Sequence, residues 1–101
     1  MASIEVARVS DRTIGYCDAC DSEMGGSVVT GSPDTYVNNL PVAREGDLVL
    51  GDCGHEAYIV TYSHRINVNG LGLARKGDFA DGTYSCHIIT GSPDTNAEFN
   101  P

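Results

Sequence analysis

The sequence predicts an all-β chain that closes into a small pseudo-threefold body built from three β-hairpin repeats. Three observations carry this. The phrase Thr-Gly-Ser-Pro-Asp-Thr occurs at residues 30–35 and again at 90–95, with an eroded copy at Thr61-Tyr62-Ser63-His64. A second phrase, Ala-Arg-x-x-Asp, occurs three times, from Ala7 to Asp11, Ala43 to Asp47 and Ala74 to Asp78. No stretch combines a helical hydrophobic period with capping residues. Short phrases recurring at a near-constant interval mark a repeat architecture, here within 101 residues.

The elements follow in order. Residues 3–9 alternate and are β-branched, which predicts a strand. Asp11 to Gly26 reads as a polar loop. Val28–Thr30 opens a descending strand, Gly31-Ser32-Pro33 bends it because proline cannot donate to a ladder, and Tyr36-Val37 continues it. Asn38-Asn39 is a two-residue hairpin turn, and Val42–Arg44 returns. The second unit repeats this: a loop from Leu48 to Glu56, descent through Tyr58–Tyr62 and Arg65–Val68, the strong turn signal Asn69-Gly70, and return through Leu73–Arg75. A third loop, Phe79 to Ser85, leads into Ile88–Thr90, and a third turn is implied at Asn96. Thr30 to Thr61 and Ala43 to Ala74 each span 31 residues, and Thr61 to Thr90 spans 29. The chain opens on a returning strand and closes on a descending one. Pairing the two terminal strands completes a third unit and removes the open sheet edges. The expected organisation is one domain, 1–101, with repeats at 28–47, 59–78, and 88–99 joined to 3–11.

Composition narrows the function. Six Lys and Arg stand against 14 Asp and Glu, a net charge of −8, which disfavours nucleic acid and anionic membrane as partners. No apolar run is long enough to span a bilayer, and Met1-Ala2-Ser3-Ile4-Glu5 is not the start of a secretory signal. The expectation is synthesis in the cytoplasm without a signal peptide. A core this small benefits from an added staple.

Cysteine and histidine supply a candidate staple. Cys17, Cys20, Cys53 and Cys86, with His55 and His87, all fall in or beside the three loops at one end, so closure gathers soft ligands from distant parts of the chain. Cys17-x-x-Cys20 and Cys53-x-His55 have ligand-pair spacing, suited to tetrahedral Zn²⁺. The expected ligands are Cys20, Cys53, His55 and His87, with Cys17 and Cys86 as possible replacements. If Ile89 is a core residue, His87 points inward with it. The competing readings are buried free thiols and a Cys17–Cys20 redox pair. His64, on the strand, reads as a surface residue. Each Arg-x-x-Asp reads as a brace at a strand-to-loop corner, of modest value as an ion pair. No catalytic constellation is evident, and four protein ligands would leave no open metal position for water.

The repeated pattern Gly-Ser-Pro … Asn-Asn/Gly … Ala-Arg-x-Gly-Asp resembles the PAAR-repeat family, most clearly from Gly31 through Asp47 and from Val68 through Asp78. Pro41-Val42-Ala43-Arg44 stands close to the family's name-giving Pro-Ala-Ala-Arg. The resemblance implies a sharp β cone that tips the trimeric spikes of type VI secretion systems (VgrG-type) and of contractile phage tails, with its wide base on the spike and a structural Zn²⁺ near the point. Members often carry a His before the Gly-Gly of the first loop; here Met24 precedes Gly25-Gly26, which implies a Cys-richer site.

The expected function is therefore that of a bare, non-enzymatic spike tip. One monomer caps a trimeric β-helical spike, contacts the target envelope transiently without inserting stably, and resides in a virion or is secreted by a contractile injection system. The expected spike-facing base comprises Asn38, Asn39, Leu40, Asn69, Gly70 and Leu71, with Leu73 and Phe99 as further candidate apolar anchors; ordinary core is the equal alternative for the leucines. The alternatives are a small zinc hydrolase and a stand-alone metal-binding or redox module.

Overall fold

A computed structural model describes residues 3–92 and 96–98, with side chains for 5–92. The described residues form twelve strands: β1 (Ser3–Glu5), β2 (Arg12–Cys17), β3 (Ser22–Val28), β4 (Tyr36–Val37), β5 (Leu40–Pro41), β6 (Leu48–Gly51), β7 (Glu56–Ile59), β8 (Asn67–Val68), β9 (Leu71–Gly72), β10 (Phe79–Gly82), β11 (Tyr84–Ile88) and β12 (Asn96–Glu98). The fold is all-β. Six strands, in the order β10-β11-β2-β3-β6-β7, close into an antiparallel barrel, and three separate two-stranded ribbons, β1–β12, β4–β5 and β8–β9, complete the body.

The barrel occupies the segments that read as loops. Its hairpins are short and rich in glycine, a composition that mimics a loop. Their real signal is the burial alternation, such as exposed Arg12, buried Thr13, exposed Ile14 and buried Cys17 on β2. The glycines are there because a six-stranded barrel is narrow. A Cβ on Gly26 would sit 2.7 Å from the ring of Tyr84, which fills the barrel and is fully buried.

Below the barrel the threefold pattern is carried by the backbone. Ala7, Ala43 and Ala74 are all fully buried. Their peptides form a ring: Ala7 N donates to Ala74 O (3.1 Å), Ala74 N to Ala43 O (3.0 Å) and Ala43 N to Ala7 O (2.9 Å). Alanine suits this ring because a larger side chain at each of three axial positions would overpack it. Isolated bridges Val6–Arg75, Arg8–Val42 and Arg44–Leu73 flank the ring in place of the longer returning strands that the alternation predicts.

Each Arg-x-x-Asp forms the expected corner brace, and the brace is nearly buried. Asp47 accepts from Arg44 N (2.7 Å), Arg44 Nε (3.0 Å) and Thr30 Oγ1 (3.0 Å). Asp11 takes the same bonds from Arg8 and Thr90, and Asp78 from Arg75 and Thr61. The side chains of these pairs are between 5% and 14% exposed. The threonine of the repeated phrase thus ties each descending strand to a corner of its neighbour. Burial makes loss of one partner costly, which the modest surface estimate misses.

The ribbon turns behave as the Asn signals predict. Asn38, Asn39, Asn69 and Gly70 all have φ between 54° and 80°, the paired left-handed residues of a tight hairpin turn. Asn96 is not a turn residue; it lies in β12 opposite Glu5, because the third ribbon is made by the two ends of the chain. Leu73 is buried with Val6, Val42 and Val68 in a second small core above the ribbons, so it is not an exposed anchor. Phe99 lies outside the described residues.

Candidate metal centre

The barrel's hairpin turns meet at the end remote from the Asn turns, and two of the three carry ligand-type side chains. Cys17 ends β2 and Cys20 sits in the turn that follows. Cys53 and His55 flank Gly54 in the β6–β7 turn, where Gly54 takes φ +90°. That turn is held by Gly54 N donating to Gly51 O (2.8 Å) and Gly51 N to His55 O (2.9 Å). It is tied across to β2 by the Arg12–Asp52 ion pair at 2.9 Å.

These four side chains converge, with all ligand atoms within 4.8 Å of one another. Cys53 Sγ lies 3.6 Å from Cys17 Sγ. His55 Nδ1 lies 3.3 Å from Cys17 Sγ, 3.6 Å from Cys20 Sγ and 3.2 Å from Cys53 Sγ. The edges of a tetrahedron with ordinary Zn–S and Zn–N bonds measure about 3.8 Å (S···S) and about 3.5 Å (S···N). The donor set and its spacing therefore fit a structural zinc ion held by three thiolates and one imidazole.

The electrostatics fit the same reading. The backbone N–H of His55, and then its ring, lower the Cys53 thiol to about 6. Cys20 is pushed up to about 11, chiefly by its hydrogen bond with Cys17. Without a cation the cluster favours a thiolate at Cys53 and disfavours one at Cys20. A divalent cation binds thiols as thiolates and so would offset the rise at Cys20. Cys20 N also points at Cys17 Sγ (3.4 Å), a donor placed to support a thiolate.

Of the expected quartet, Cys20, Cys53 and His55 come together, and Cys17 stands where His87 was expected. The reason is strand parity. Ile89 is 39% exposed, so His87, with the same parity, faces out of the barrel. It packs beside Phe79 (ring centroids 5.9 Å apart) in an open groove with Ile14 and Tyr16. Cys86 faces inward and is buried in the barrel core, its thiol raised by desolvation. Cys86 and His87 lie three and four positions below the turn at Thr83, roughly 10–13 Å along a strand. Cys17, in turn, is fully buried and forms the floor of the cluster.

At the other end, Asn38, Asn39, Asn69 and Gly70 are exposed and Leu40 and Leu71 half-buried. The Asn38 and Asn69 side chains also work inside the fold. Asn69 Oδ1 accepts from Ser32 Oγ (2.6 Å) and Arg44 Nη1 (3.2 Å), and its Nδ2 donates to Asp34 (2.9 Å). Asn38 Oδ1 accepts from Ser92 Oγ (2.6 Å) and Arg8 Nη1 (3.0 Å). These clasps between repeats were not foreseen. The serine repeated in each Gly-Ser or Tyr-Ser phrase was the available signal.

No curated protein matches the chain. The family model described as the PAAR motif matches residues 1–55 and 21–81. These matches cover the first two repeats, the alanine ring and all four clustered ligands, and the chain belongs to the PAAR-motif family.

Proposed function

We propose that this protein is the tip of a trimeric β-helical spike, one monomer per trimer, carrying a structural zinc ion held by Cys17, Cys20, Cys53 and His55. The observation that carries the reading is the threefold backbone ring of Ala7, Ala43 and Ala74. A single chain with this internal symmetry can present three near-equivalent ribbons to the three-chain end of a spike, whose strand ends are otherwise unpaired edges. The seating surface is the ribbon end, with Asn39, Leu40, Gly70 and Leu71 at its rim. The metal cluster sits at the opposite end, where it cross-links two barrel hairpins and stiffens the leading point against local unfolding. Family membership supports a spike-tip role in a secretion or phage system, and the finer assignments are ours: a piercing function, virion or injection-system location, and transient envelope contact.

Four protein donors would fill a tetrahedral zinc shell, leaving no position for an activated water. This disfavours a hydrolase, and because Cys17 and Cys20 share the cluster with Cys53 and His55, it disfavours a free redox pair too.

The test is co-purification with a trimeric β-helical spike, read by mass measurement of the complex, together with metal analysis. The expected result is one tip per three spike chains and one zinc per tip. A tip that binds no such spike, or binds one copy per spike chain, sinks the proposal.

A further inference from the structure

The three seams between repeats are not equivalent in their polar chemistry. Two close on an asparagine. Arg8 Nη1 and Ser92 Oγ both donate to Asn38 Oδ1, and Arg44 Nη1 and Ser32 Oγ both donate to Asn69 Oδ1. At the third seam the corresponding donors are Arg75 Nη1 and Ser63 Oγ. Arg75 holds Asp78 with Nε and Nη2 at 3.0 Å each, as its two counterparts hold theirs. Its Nη1, however, is buried and has no hydrogen-bond partner among the described residues. The Arg75 side chain is only 10% exposed. Ser63 is 1% exposed, and its Oγ accepts from Arg65 N (3.2 Å) and Ile66 N (3.1 Å) with no acceptor for its own proton among the described residues. A buried donor without an acceptor is costly, so two of them at one place mark a missing oxygen.

We infer that this third seam is a carboxylate-binding site formed by Arg75, Ser63 and Arg65. The ligand class follows from a substitution within the repeat. In the Asn69 seam the amide offers oxygen to Ser32 and Arg44 and an N–H to Asp34. At the third seam the residue in the place of Asp34 is Arg65, two positions after Ser63 as Asp34 is two after Ser32. An amide N–H would there face a cation. A group with acceptors on both arms is what matches two guanidinium groups and a hydroxyl, and that group is a carboxylate. It has two possible sources. One is Glu98, which stands six residues after Ser92 as Asn38 follows Ser32 and Asn69 follows Ser63, and whose backbone lies in β12 opposite Ser3. The other, which rests on the proposed seating of this chain on a spike, is an acidic side chain of that spike.

The experiment measures thermal unfolding of the whole protein, with and without sodium formate, against sodium chloride at equal ionic strength. If Glu98 is the source, Glu98→Ala lowers the midpoint by about 10 °C, formate recovers part of the loss, and the pair Arg65→Asp with Glu98→Asn, which rebuilds the form of the other two seams, is more stable than either single variant. If the source lies outside the chain, Glu98→Ala is silent and formate raises the wild-type midpoint by a few degrees. In both cases Arg75→Lys, which keeps a cation beside Asp78 but removes Nη1, abolishes the formate response. A silent Glu98→Ala together with no formate-specific response in the wild type overturns the site, as does a formate response that survives Arg75→Lys.

Discussion

The waist and the point of this molecule treat symmetry in opposite ways. At the waist, three alanines, three Arg–Asp pairs and three threonines repeat the same bonds to within 0.2 Å. At the point, two hairpins supply all four clustered ligands and the third ends in a bare Gly82-Thr83 turn. The difference shows what each end must do. Near an axis, three copies of one segment can meet only if they are alike, so the repeat is held there. A tetrahedral metal has four positions, which three equal hairpins cannot supply equally, so the repeat is abandoned where the donors sit.

This contrast can be broken at either end. Removing the metal should have the largest effect. Chelation is expected to lower the thermal midpoint by about 20 °C, the shift produced by losing a ligand present at some thousandfold above its Kd. The loss should shrink in acid, because protons compete with the metal for its ligands: the lowered Cys53 thiol keeps its thiolate above about pH 6 and surrenders it as pH falls through that value, so there is less metal stabilisation left to remove. A calorimetric scan with and without chelator at two pH values checks both. At the waist, Asp47→Ala strips an acceptor from Arg44 and Thr30 and leaves a nearly buried guanidinium with no carboxylate to balance its charge; denaturant unfolding should show a loss of about 3 kcal/mol with zinc content unchanged. The sharpest comparison pairs two substitutions at the point. Cys17→Ser should abolish stoichiometric zinc, whereas His87→Ala should leave zinc intact and alter stability by less than about 0.5 kcal/mol. The reverse pattern would return His87 to the ligand set.

Much of this was legible in the sequence, for reasons that differ by region. The threefold organisation could be read because identical residues recur at matching intervals, and Asn38-Asn39 and Asn69-Gly70 carry their turn geometry locally. The barrel was not legible. Its strands are four to seven residues long, and Gly15, Gly25, Gly26, Gly51 and Gly82, which permit close packing, look like loop residues when tertiary crowding is out of sight. In the candidate site, Cys20, Cys53 and His55 follow from spacing. The choice between Cys17 and His87 does not, since it turns on which face of β11 is buried. The buried character of the Arg–Asp joints was hidden for the same reason: an i, i+3 ion pair looks alike in sequence whether water reaches it or not.

The ring of alanine peptides has a consequence for how the chain folds. Its three hydrogen bonds are cyclic, and one of them joins Ala7 to Ala74, across most of the chain. A chain with two repeats in place has an N–H and a C=O exposed at the axis with nothing to bind. No two-thirds assembly is stable in the way that a truncated stack of linear repeats is, where each unit needs only its neighbour. Folding should accordingly be all-or-none, with a late, entropically expensive closure and the slow rate typical of high contact order. Once closed, releasing any one repeat breaks two of the three ring bonds.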